Sequence, residues 1–339
     1  MDYRIPKPDI SFNPPVYYCR RATKPFELNG RLDKEFWEDA EFTDAFVDIE
    51  GDKREKPRFV TRAKMLWDDD NLYVGAVLEG NEIWGHLTER DSVIFQDNDF
   101  EIFIDPDSDT HQYYEFEMNA KNTVWDLFLT KTYRDGGKPL NGFDLHGMRS
   151  AVHIDGVLND PSADNQRWSV EVVIPFSAVN ECAKEKRNPK SGEYYRVNFS
   201  RVQWKVDVKD NTFVKRCDAN GNTLPEDNWV WAPTGIINIH YPELWGFVFF
   251  TEGTETYEIP QDERDKWELR RLYYDVNCYY DENGHFPENL SSFMEGKDYT
   301  INPSYAATCH TFEIWCDSKD KKRQLAVQGD GRAYVYEKN

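Results

Sequence analysis

The sequence has no apolar run approaching the roughly 18 residues that a membrane-crossing helix needs, and its opening, MDYRIPKPDI, has no apolar stretch of the secretory kind. As it stands the chain reads as soluble: cytoplasmic, or secreted or periplasmic if an export signal has been removed. Cysteine is scarce. Six in 339 residues, with no C-x-x-C pair, exclude a disulfide scaffold and a zinc ribbon. The seven histidines lack metal-ligand spacing. Also missing are G-x-S-x-G, H-E-x-x-H, the P-loop and G-x-G-x-x-G after a strand, so an enzyme defined by one of these strings is not expected. Basic residues are outnumbered, 41 Lys+Arg against 62 Asp+Glu, for a net charge of −21. That balance repels phosphate backbones and anionic lipid, which argues against nucleic-acid and membrane partners and leaves cationic, metal or neutral ones.

Aromatic residues, by contrast, make up 15% of the chain, enough large side chains to fill a core despite the charge. Residues 1–15, with four prolines, read as an extended arm. Asn29-Gly30 is a turn, and Asp33 is expected to cap a short amphipathic turn, 34–40, that points Trp37 inward. Alternating runs then predict strands at 62–67, 72–78, 100–104, 113–120, 124–129, 167–174, 195–202 and 245–250, separated by Asp/Asn/Gly/Pro turns. Many short alternating strands with little helical period indicate an all-β protein, an antiparallel β-sandwich over residues 16–251. After Thr251 the pattern changes. Leu269, Tyr273, Val276 and Tyr280 form a helical stripe ending at Asn283-Gly284, and 311–316, 324–328 and 332–336 follow as strands, so 252–339 is read as a small α+β appendage covering a sheet face or an edge strand.

Three acidic clusters suit Ca²⁺ chemistry: Asp68-Asp69-Asp70, Asp97-Asn98-Asp99 and Asp105-x-Asp107-x-Asp109. The last begins like an EF-hand loop but has Thr110 at its sixth position and Phe116 at its twelfth, so it is no EF-hand, and any ion there would brace a loop. Turn formation by Asp and Asn explains the same clusters without a metal. Paired carboxylates capable of acid–base work on a glycosidic bond are conceivable among Asp97, Asp99, Glu101 and Glu117. Haem held by a His and a Met (Met65, Met118 or Met148) is the minor alternative. The 11 tryptophans point elsewhere: neutral sugars stack their C–H faces on flat rings while fixed polar groups bind the hydroxyls. Trp37, Trp67, Trp125 and Trp168 are expected to face a core. Trp84, Trp204, Trp229 and Trp231 are expected at loops or strand ends, where a ring can be open.

The strings FELNGRLDKEFWEDA (26–40), MLWDDDNLYV (65–74), QDNDFEIFIDPD (96–107), YYEFEMNA (113–120), WSVEVVIPF (168–176), RVNFSR (196–201) and PELWGFV (242–248) together resemble the family 9 carbohydrate-binding module. The resemblance implies a DOMON-like sandwich with immunoglobulin or jelly-roll character, frequent Ca²⁺, and two aromatic rings clamping a mono- or oligosaccharide. By position, Phe95 stands for one ring and Trp231, or Trp229 beside it, for the other. Glu101 matches an acidic hydroxyl-binding position. Glu117 replaces a basic residue and Ser200-Arg201 an amide. The resulting expectation is a non-catalytic carbohydrate-binding protein of bacterial polysaccharide use, with Phe95, Trp231, Trp229 and Trp84 as rings and Glu101, Glu117, Asn198 and Arg201 as hydrogen-bonding groups. A glycoside hydrolase using the cleft carboxylates and a haem-binding sandwich are the alternatives.

Overall fold

Period-2 alternation along most of the chain dictates sheets with one apolar face, and the structure, a computed structural model describing residues 4–338, is built that way. The strands are β1 (Val16–Arg21), β2 (Val47–Asp48), β3 (Thr61–Trp67), β4 (Asn71–Glu79), β5 (Asp99–Asp105), β6 (Tyr113–Asn119), β7 (Val124–Leu129) and β8 (Pro139–Leu140). They continue with β9 (Arg149–Asp155), β10 (Arg167–Pro175), β11 (Tyr194–Gln203), β12 (Val206–Lys209), β13 (Thr212–Lys215), β14 (Asp227–Val230) and β15 (Gly246–Thr251). Thirteen of them form one sheet in the order β8-β7-β6-β5-β11-β15-β1-β3-β4-β10-β9, with β14 joining β11 to β2. The sheet curls into a sandwich. Its two halves close on a single core that includes Met65, Trp67, Val74, Phe100, Ile102, Phe116, Val172, Phe199 and Phe250.

The sandwich is not wholly antiparallel. β1 runs parallel to both neighbours, β15 and β3, and forms the seam between the two halves. Parallel neighbours need long connections. Residues 22–60 supply one, carrying the Asn29-Gly30 turn, where Gly30 has φ +79° and a Cβ would stand 2.5 Å from the His153 backbone. In that connection Trp37 is buried as expected, its Nε1 donating to Glu171 Oε1 at 2.6 Å. Asp33 does not cap: the turn is a 3₁₀ segment, Glu35–Trp37, whose N-cap is Lys34 and makes no side-chain bond.

The helix Gln261–Asn283 buries Leu269, Tyr273 and Val276, together with Leu272 and Tyr274, and ends at Gly284 in the left-handed region. It packs on a four-stranded sheet, β16 (Ser304–Ala307), β17 (Phe312–Asp317), β18 (Arg323–Gln328) and β19 (Ala333–Glu337). That second core also takes Ile5 of the arm and Tyr241 and Leu244 of the sandwich. Buried ions join the two cores. Glu263 accepts from Ser108 Oγ and Tyr194 Oη (both 2.9 Å) and pairs with Lys266 at 2.6 Å and Arg196 at 3.4 Å. Glu243 pairs with Arg134 at 2.7 Å and accepts from the Tyr274 hydroxyl. The helix thus covers the outward-facing side chains at the start of β11.

Candidate functional site

In β5, Phe100, Ile102 and Ile104 enter the core, so Asp99, Glu101 and Phe103 project from the opposite face. In β6, Tyr114, Phe116 and Met118 enter it, so Glu115 and Glu117 project outward. Register then sets two rows across the sheet. One is Trp125, Glu117, Glu101 and Ser200; the next is Leu127, Glu115, Phe103 and Asn198. Above these rows lies a cavity of about 280 Å³. Phe95, from the 3₁₀ turn Ile94–Gln96, and Tyr133 stand on its walls, and the 226–240 segment adds Glu226, Asn228, Ile237 and His240.

Carboxylates dominate its floor. Oxygen atoms of Asp99, Glu101 and Glu117 lie within 4.8 Å of one another, and all three residues are buried. Glu117 Oε2 accepts from the Phe95 amide at 3.0 Å, which ties the ring to the acid. Asp99 Oδ1 accepts from the Val202 amide at 3.2 Å, but Asp99 Oδ2, Glu115 Oε2 and the indole N–H of Trp125 have no partner. Burial, reinforced by neighbouring acids, pushes Asp99, Glu115 and Glu117 well above the usual carboxylate range. Burial also raises Glu101 to about 7, against a lowering hydrogen bond from Ser200. His240 is pushed by burial to about 3 and is neutral, its Nδ1 facing the Tyr113 hydroxyl at 2.9 Å.

The expected rings separate sharply. Phe95 reaches the cavity, as do Glu101 and Glu117. Trp231 does not: it is 6% exposed, lies against Phe199, and fills the space left by Gly246, where a Cβ would come within 2.4 Å of its ring. Trp229, 3% exposed, packs in the core with the Arg58 and Arg201 guanidiniums at 5.3 and 5.2 Å from its ring. Trp84 is buried with Trp204 and Phe213 behind Phe95. The polar candidates divide too. Arg201 is on the core side of β11, held by Gln203, Thr61 and the Glu79 carbonyl. Asn198 is on the cavity side but is consumed by both backbone groups of Ala232. Asp97 caps the His86 and Leu87 amides.

Trp125, expected in a core, is half-buried and lines the cavity. The alternation that located Glu117 also places Glu115 on its face, and the pairing of Trp125 with Glu117 would have turned the indole outward. Tyr133, at the start of the 3₁₀ turn Tyr133–Asp135, and His240, from a loop, carry no such signal. Of the metal candidates, Asp68 caps its own turn through the Asp70 and Asn71 amides, and Asp69 meets Arg21, so Asp68, Asp69 and Asp70 do not converge. Asp105, Asp107 and Asp109 do, with oxygens within 4.8 Å. Asp105 also accepts from the amides of Ser108 and Thr110, both residues at positive φ. Met65 and Met118 are sealed in the sandwich core.

The family described as carbohydrate family 9 binding domain-like matches residues 28–198. Among solved structures, a Bacteroides uniformis protein described as a candidate carbohydrate-binding protein is 14% identical, covering 70% of this chain and all of its own, with a TM-score of 0.51. A family 9 module from Caldicellulosiruptor kristjanssonii, solved with cellotriose and with glucose, is 15% identical over 72% of this chain and 98% and 100% of its own, with TM-scores of 0.42 and 0.43. No curated protein matches.

Proposed function

The chain belongs to the carbohydrate family 9 binding domain-like family, and from that premise we propose that the cavity over β5, β6, β7 and β11 binds a mono- or oligosaccharide without performing chemistry on it. The observation that carries the reading is the juxtaposition of half-buried rings, Phe95 and Trp125, with the outward carboxylates Glu101, Glu115 and Glu117 around one cavity. Rings supply flat apolar surface for C–H faces, and fixed acceptors bind hydroxyls. Phe95 keeps its proposed role. Trp125 takes the place first given to Trp231. A role in polysaccharide use follows from the same reading.

Hydrolysis is disfavoured by geometry. Glu101 and Glu117 are cross-strand neighbours on one wall, whereas glycoside cleavage uses two carboxyls flanking the bond. The calcium implied by the resemblance fits the Asp105–Asp109 loop, an all-oxygen set of three converging carboxylates. Asp105, Asp107 and Asp109 would hold the ion, which would brace the loop against Glu263 and Arg332. The binding reading is tested by titrating intrinsic fluorescence with a panel of neutral and charged mono- and oligosaccharides: saturable change, lost in Phe95→Ala and in Trp125→Ala, is expected, and a flat response across the panel contradicts it.

A further inference from the structure

Among the described residues lining the cavity there is no Lys or Arg, and the single His is held neutral. Three buried carboxyl groups of the lining, Glu101, Glu115 and Glu117, and Asp99, whose oxygen lies beside those of Glu101 and Glu117 beneath the lining, therefore cluster without a cation. Two of them, at 0% and 5% exposure, each hold an oxygen with no partner, Asp99 Oδ2 and Glu115 Oε2. Buried acceptors left unmet are costly, and the cluster can carry its negative charges only beside a cation, its members otherwise keeping protons. The cavity is thus short of a positively charged donor.

We propose that this cavity recognises a sugar through a protonated amine, as in a 2-amino-2-deoxy-hexose residue, with the ammonium seated among Asp99, Glu101 and Glu117 and the ring plane against Phe95 and Trp125. The inference rests on the carbohydrate reading above and names the sugar class that fits it. An ammonium offers three donors. Three oxygens each about 2.8 Å from one nitrogen at tetrahedral angles stand roughly 4.6 Å apart, and one oxygen from each of the three carboxylates converges closely enough for a single group to reach all three. A bare divalent cation would satisfy the same acids but would leave the Trp125 indole N–H without an acceptor and most of a 280 Å³ cavity unfilled. An amino sugar answers both: its amine meets the acids, and its hydroxyl oxygens are within the chemistry of the indole donor. A neutral sugar's hydroxyls can donate to single acids but bring no positive charge to the cluster.

The test is calorimetric titration of the whole chain with deacetylated glucosamine oligomers, their N-acetylated counterparts and cello-oligosaccharides of equal length, with calcium chloride as a fourth arm. The deacetylated ligand is expected to bind at least tenfold more tightly than either neutral series, with a preference that shrinks with added salt and falls below threefold in Glu117→Gln. Thermal melts check that Glu117→Gln remains folded, and Glu115→Gln, expected to narrow the same preference, takes its place where it does not. Equal affinity for all three series, or tighter binding of a neutral one, overturns the amine inference and leaves the carbohydrate reading standing. Binding of none of the sugars overturns both. Calcium that competes with no sugar yet loses affinity in Glu117→Gln makes the cluster a metal site and also overturns the inference.

Discussion

Trp231 and Trp125 show how a single side chain's role follows from which face of its segment it occupies. Trp231 lies against Gly246 and Phe199 inside the sandwich, so Trp231→Ala empties a large core volume and is expected to cost about 3–5 kcal/mol, read as a fall in the denaturant midpoint. Phe95→Ala and Trp125→Ala remove half-buried rings and are expected to cost less, about 1–2 kcal/mol, while abolishing saccharide binding. The carboxyl cluster makes a second prediction at this scale. Glu101 is raised from its usual range to about 7 when folded, so between about 4.5 and 7 the native state holds the extra proton. Stability therefore falls as pH rises through that window, by up to about 1.4 kcal/mol per pH unit for this group. The melting temperature should be lower at pH 8 than at pH 5, and Glu117→Gln should flatten that slope. A higher melting temperature at pH 8 would contradict the assignment.

At the scale of elements, the central strands were legible because each has one apolar face and one polar face. Alternation located β3 to β7, β10, β11 and β15 to within a residue or two, and the helical stripe located Gln261–Asn283. The strand β1 (Val16–Arg21) was not predicted, and alternation does not announce strand direction, so the parallel seam was not seen. β9 (RSAVHID) was missed because polar residues interrupt its pattern, and β12 to β14 because they are short. Of the proposed site, Phe95, Glu101 and Glu117 were named from the sequence and reach the cavity. Trp231, Trp229 and Arg201 were misread because a position near a strand end does not reveal whether a ring or guanidinium turns to the core. The Asp105–Asp109 loop provides the element-scale test. Calcium is expected to stabilise the protein by about 1–3 kcal/mol when in excess over its dissociation constant, an effect that Asp107→Asn should reduce. No calcium-dependent shift in melting would remove the ion from the account.

Across the whole molecule, two cores are fastened by buried charges rather than by apolar contact alone. Glu263 holds Ser108, Tyr194, Lys266 and Arg196 together. Removing one member leaves buried charges uncompensated, so Glu263→Ala is expected to cost about 3–5 kcal/mol, measurable by urea unfolding. Ending the chain at residue 251 would bare Arg196, Tyr241 and Leu244 to water, with aggregation as the expected outcome. A soluble truncation of equal stability would contradict that role for the appendage. The net charge of −21 favours cationic over anionic ligands by long-range attraction, and a cavity whose acids ionise only beside a cation acts in the same direction at short range.

The most direct measurement of the central claim is saccharide titration of the intact chain followed by indole fluorescence, alongside Phe95→Ala and Trp125→Ala. The account predicts a saturable signal that both substitutions abolish while each variant keeps its fold. A signal that survives both, or no response to any saccharide, would contradict it.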